Sequence, residues 1–95
     1  MTDEATVIRC AAGEGLIREE VSTDASGKVI RWNLALINFG LFSKDNGRVL
    51  GYDTAHRRLH RHFAGAVTTI EAAPYNEAFD RFIAEVDELK KREEL

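Results

Sequence analysis

Hydrophobic and polar residues alternate most clearly between Lys28 and Phe39. There Ile30, Trp32, Leu34 and Leu36 occupy the even positions, while the odd positions mix Val29 and Ile37 with Arg31, Asn33 and Ala35. A period of two puts the even set on one buried face of a strand, with Trp32 as the largest single burial. This segment is expected to be a central strand. Before it, residues 5–11 form a β-like run and Ala12-Gly13-Glu14-Gly15 supplies a turn. Leu16 to Ser22 then sets Ile17, Glu19 and Val21 against Leu16, Arg18 and Glu20, and Thr23 to Gly27 makes a polar hairpin loop. After it, Asn46-Gly47 suits a tight hairpin turn, so Arg48 should begin a returning strand. Arg48–Tyr52 and Leu59–Phe63 read as short strands flanking a turn at Asp53-Thr54-Ala55-His56, which the Asp53 carboxylate is placed to cap. Ala66–Ile70 could add a last β segment. Beyond Pro74, the only proline, Tyr75, Ala78, Phe79, Phe82, Ile83, Val86 and Leu89 recur at steps of three and four. That spacing gives one apolar stripe on a helix.

The expected fold is α+β: an antiparallel sheet of about five strands, at the usual strand length, with one C-terminal helix packed on one face. The 95 residues make a single domain spanning 1–95, without repeats or an internal boundary.

Composition narrows the class. At 44% hydrophobic and 31% charged, the chain reads as an ordinary globular protein. It has no apolar run near the roughly 18 residues of a membrane span, so no membrane partner is expected. The acidic start, Met1-Thr2-Asp3-Glu4, lacks the basic region of a signal peptide. A lone Cys10 cannot form an internal disulfide, which fits a reducing compartment; the expected location is cytoplasmic. The net charge of −3 argues against a general nucleic-acid coat protein. Charge is nonetheless segregated, with Arg48, Arg57, Arg58 and Arg61 close together and the C-terminal helix rich in acids.

All three histidines, His56, His60 and His62, fall within this basic stretch. In an extended strand the rings of His60 and His62 share one side, with Cα atoms about 6.5–7 Å apart. Such a pair can bind a metal, act as general acid and base, or occupy a polar face. Metal binding needs further ligands, which His56 and Asp53 supply only if the turn folds back. Metal-free RNA cleavage needs a base, an acid and cations for the developing phosphorane charge, and this stretch holds candidates for all three. His60, His62 and His56 are the catalytic candidates. Arg48, Arg57 and Arg58 are the phosphate contacts, and Tyr52 is a candidate to stack on a base. Arg61 points to the other face and is the weaker candidate. Asp53, Gly51 and Gly65 are read as residues that shape the turns.

Arg48-Val49-Leu50-Gly51-Tyr52-Asp53, then Ala55-His56, then His60-Arg61-His62-Phe63-Ala64-Gly65 resembles the TumE family of bacterial and archaeal toxin–antitoxin proteins. The family pattern is a GYD-[NT]-x-H turn, an H-[RH]-H-[YF]-x-G segment and a C-terminal helix. Gly51, Tyr52, Asp53, His56, His60, His62 and Gly65 match it, with Thr54 and Phe63 as the less frequent choices. The resemblance implies a toxin neutralised by a helix-turn-helix antitoxin, and analogy with other small toxins implies a ribonuclease. No cofactor or metal is assigned, and the oligomeric state is open, a homodimer included. Two alternatives stand beside this reading: a non-enzymatic module that binds nucleic acid or protein, and a small metal-binding protein.

Overall fold

The computed structural model describes residues 2–10, 13–40, 42, 44–55 and 58–92. Six strands run in chain order across one antiparallel sheet: β1 (Thr2–Cys10), β2 (Gly13–Thr23), β3 (Val29–Ile37), β4 (Arg48–Ala55), β5 (Arg58–Phe63) and β6 (Ala66–Ile70). A helix, α1 (Tyr75–Lys91), closes the chain. The expected α+β architecture is present, with six strands rather than about five.

Local chemistry makes the meander. Between β2 and β3, one carboxylate oxygen of Asp24 accepts the Ser26 amide and hydroxyl and the Lys28 amide, at 2.9, 2.7 and 3.0 Å. These bonds, led by the Ser26 hydroxyl, hold the Asp24 carboxyl below its usual range. Between β5 and β6, Phe63 pairs with Ala66, leaving Ala64 and Gly65 as a two-residue loop with φ of 48° and 87°. Positive φ at both positions matches the twist of a tight hairpin, so Gly65 does shape a turn. The β3–β4 connection is longer than a simple Asn-Gly hairpin. A 3₁₀ turn, Asp45–Gly47, ends it, and buried Asn38 ties it down by donating its amide to Gly47 and accepting the Gly40 amide on its side chain.

One face of the sheet takes the helix. Trp32, Leu34, Leu36, Leu50, Tyr52 and Leu59 meet Ala78, Phe82, Val86 and Leu89 in one core. Tyr52 and Phe82 pack edge to face at 5.6 Å, as do Trp32 and Tyr75 at 5.5 Å. The helix lies mainly over β3 and β4. Among the described residues no helix is long and apolar enough to cross a membrane.

Two irregularities in the ladder correct the simple alternation. Ser22 pairs with Arg31 and Thr23 with Val29, so Ile30 is an inserted residue of a β-bulge. It is 62% exposed, against the expectation that it faces the core, and Val29 packs at the core edge instead. The second bulge lies in β4. Leu36 pairs with Leu50 but Ile37 pairs with Arg48, so Val49 is inserted. Strict alternation would point Arg48 at the helix beside Leu50 and Tyr52. The bulge turns it onto the opposite, uncovered face.

Candidate functional site

The uncovered face is a lattice of rows running across the strands. Glu20, Asn33, Asp53, His60 and Thr69 form one row; Arg18, Ala35, Gly51, His62 and Val67 form the next. Asp53 is in the middle of β4, not in a turn, because the strand continues to Ala55. The expectation that Asp53 caps a turn is therefore corrected: its carboxylate faces the open side of the sheet and gathers three side chains. Gly51 likewise lies within the strand.

Arg48 reaches this centre by lying across Gly51. A Cβ on Gly51 would come within 2.5 Å of the Arg48 side chain, so glycine is what lets the guanidinium pass. Arg48 Nη1 donates to Asp53 at 3.2 Å, Nη2 meets Nδ1 of His62 at 3.0 Å, and Nε and Nη2 hold Asp45 at 2.8 and 3.2 Å. The guanidinium has only donors. Nδ1 of His62 therefore accepts, and the ring proton belongs on Nε2, 2.9 Å from Asp53. That N–H is not aimed along the contact, so buried Nε2 lacks a well-directed hydrogen bond. Nδ1 of His62 is thus engaged, Nε2 is enclosed beside Asp53, and the side chain is 14% exposed.

His60 differs. Its Nδ1 lies 3.6 Å from the other Asp53 oxygen, a contact longer than a hydrogen bond. Nε2 is on the far side of the ring and makes no hydrogen bond among the described residues. The side chain is 21% exposed. Of the pair on β5, His60 is the one with an available nitrogen.

The remaining expected site residues divide. Tyr52 is 2% exposed and faces the helix, where its hydroxyl donates to Glu85. Core packing takes it out of reach of a nucleobase, which corrects its assignment as a stacking residue. Burial, then the Glu85 bond, pushes its phenol up to about 12. Arg61 shares that face and donates to Glu85 at 2.5–3.1 Å. Arg58 stands on the open face, exposed, beyond His60. His56 and Arg57 lie outside the described residues.

The sequence reading missed Arg31 and Asn33. Together with Glu20, Ser22, Asp53 and Thr54 they line a groove beside the Asp53 centre. Asn33 stands directly opposite Asp53 on β3, and its buried Oδ1 has no hydrogen-bond partner. Polarity at an odd position of an otherwise apolar strand was the available signal. Among the described residues no three His, Cys, Asp or Glu side chains are grouped to hold a metal ion. Arg48 instead occupies Asp53 and His62.

Comparison with protein-family models, with curated proteins and with solved structures found no match.

Proposed function

We propose that the open sheet face cleaves single-stranded RNA without a metal, with His60 as the proton-transfer group. The observation that carries this reading is the contrast within the histidine pair: His62 is engaged by Arg48 at Nδ1 and has its Nε2 buried against Asp53, whereas His60 lies beside Asp53 through Nδ1 and makes no hydrogen bond through Nε2 among the described residues. A carboxylate behind an imidazole fixes its orientation and stabilises the cation formed when it accepts a proton. His60 Nε2 takes the proton of a ribose 2′-hydroxyl, and the 2′-oxygen bonds to the adjacent phosphorus. The bond from phosphorus to the 5′-oxygen breaks, that oxygen takes a proton from water, and the hydroxide left behind takes the proton held by His60. The products are a 2′,3′-cyclic phosphate and a 5′-hydroxyl end, with no redox partner required. In this reading Asp53, Arg48 and His62 are positioning residues. Arg58 supplies charge for the phosphorane.

The motif resemblance to TumE-like toxins supports the same reading and adds its biology: a cytoplasmic toxin held in check by a helix-turn-helix antitoxin. The test is cleavage of end-labelled RNA by purified protein, with and without EDTA, beside His60→Ala and His62→Ala. Activity that survives EDTA, vanishes in His60→Ala and falls only about 10–100-fold in His62→Ala, the cost of misplacing a positioning group, is the expected result. Loss on EDTA treatment would favour the metal-binding alternative. A folded protein that cleaves nothing would favour a non-enzymatic binding module, which the internal neutralisation of Arg48 does not oppose.

A further inference from the structure

The arginines of the open face are not equivalent. Arg18 is saturated by Asp3, at 2.7 and 3.1 Å, with Glu20 at 3.6 Å. Arg48 is saturated by Asp45, Asp53 and His62. Among the described residues Arg31 and Arg58 form no ion pair, and both are exposed. The register brings them to the same end of the face. Asn33 pairs with Asp53 and Asp53 with His60. Two residues further along their strands, Arg31 on β3 and Arg58 on β5 therefore stand on either side of β4. Two strand spacings put their Cα atoms about 10 Å apart, with side chains long enough to converge over the strand between them. Each is two residues along its strand from the row that holds Asn33, Asp53 and His60. They are 27 positions apart in the sequence and share no motif.

We infer that Arg31 and Arg58 form a two-armed phosphate clamp that seats an RNA strand over β4, next to His60. This rests on the RNA-cleaving reading and deepens it by fixing where the backbone lies. Two guanidinium groups approaching one phosphate from opposite sides present planar donors to separate oxygens. With the phosphate held there, the adjoining nucleotide falls into the groove lined by Arg31, Asn33 and Asp53. Asn33 lines that groove, and the buried Oδ1 of its amide has no hydrogen-bond partner. The salt-bridged arginines cannot play this part without leaving carboxylates unpaired.

The experiment measures fluorescence anisotropy of a labelled single-stranded 2′-O-methyl oligoribonucleotide, which lacks the nucleophilic hydroxyl, at several salt concentrations. It uses the intact chain and the variants Arg31→Gln, Arg58→Gln, their double and Arg18→Gln, each checked for an unchanged melting curve. Each clamp variant should weaken binding about tenfold, as expected for loss of a charge-assisted bond. Each should also lower the salt slope by about 0.7, the value for one phosphate contact on a single strand. Arg18→Gln should stay within about twofold of wild type, as expected of a residue making no phosphate contact. Clamp variants that bind like wild type, or an equal loss in Arg18→Gln, would overturn the proposal, as would failure of the wild-type chain to bind at low salt. If the clamp variants lose binding but the wild type cleaves no RNA, the clamp stands and the catalytic reading falls. If His60→Ala abolishes cleavage while Arg31→Gln and Arg58→Gln leave binding unchanged, the clamp falls and the proton-transfer role of His60 stands.

Discussion

Strands β4 and β5 carry a polar cluster on each side, built from similar parts with opposite outcomes. On the helix side, Glu85 accepts from Arg61 and from the hydroxyl of Tyr52, under the cover of α1. On the open side, Asp53 meets Arg48, His62 and His60. Both centre on one carboxylate and one arginine. In the covered cluster the carboxylate is surrounded by donors, so its chemistry is spent on holding the helix to the sheet. In the open cluster an imidazole occupies one side of the carboxylate and has its second nitrogen clear. Adjacent residues of one strand, Tyr52 and Asp53, thus belong to different tasks, and alternation alone separates them.

Substitutions on the two sides should separate activity from stability. The largest effect expected is on the open side. His60→Ala should lower RNA cleavage by about 10²–10⁴-fold, the usual span for a proton-transfer group. It should leave the melting temperature nearly unchanged, which parallel kinetics and thermal melts would check.

Gly51→Ala comes next. The new Cβ meets the flexible stem of Arg48, which must lift off Asp53 and His62. Cleavage should fall about 10–100-fold through misplacement of the site, with a stability loss of at most about 1 kcal/mol. A loss of stability with full activity would mean that Arg48 does not position this centre.

On the covered side the signs reverse. Arg61→Met should cost about 1–2 kcal/mol in urea unfolding, the low part of the range for charge-assisted bonds because both side chains retain some exposure. Cleavage per folded molecule should stay at the wild-type level. A variant that instead lost activity would tie the two faces together.

The smallest effect is a pH signature. Burial raises the Glu85 carboxyl, but the bonds from Arg61 and Tyr52 outweigh it and leave it below its usual range. A carboxyl lowered in the folded state stabilises fully above its ordinary value of 4.5, and the contribution disappears as pH falls through the folded value. The Tyr52 phenol, raised from 10.0 to about 12, contributes fully below its unfolded value and loses that contribution as pH rises toward 12. Tyr52→Phe should lower stability by about 1 kcal/mol near neutral pH and flatten the alkaline limb of the melting profile while leaving an acid limb. An unchanged alkaline limb would remove Tyr52 from the cluster.

How much of this was legible in the sequence depends on whether the information was local. The stripe from Tyr75 to Leu89 and the alternation from Trp32 to Leu36 announced the helix and the central strand, because burial imposes those periods directly. The shared side of His60 and His62 followed in the same way. Tyr52 was drawn toward the site by its proximity to Asp53 in the motif, although its parity with Leu50 already pointed to the core. Arg48 was a different problem. Its position on the open face depends on the bulge at Val49, a property of pairing with β3 that the local sequence does not encode. Likewise, Ile30 looked buried until an inserted residue broke the period. The role of Arg31 is not legible locally, because its neighbours across β4 are set by register while the sequence shows only its own strand.

The most direct measurement is chemical rescue: RNA cleavage by His60→Ala in EDTA, with imidazole added at increasing concentration. The account predicts that free imidazole restores cleavage in proportion to its concentration and generates the same cyclic-phosphate ends as the wild type. It further predicts no such rescue for Asp45→Ala, whose carboxylate only steadies Arg48. A His60→Ala protein that cleaves as well as wild type before any imidazole is added would contradict it.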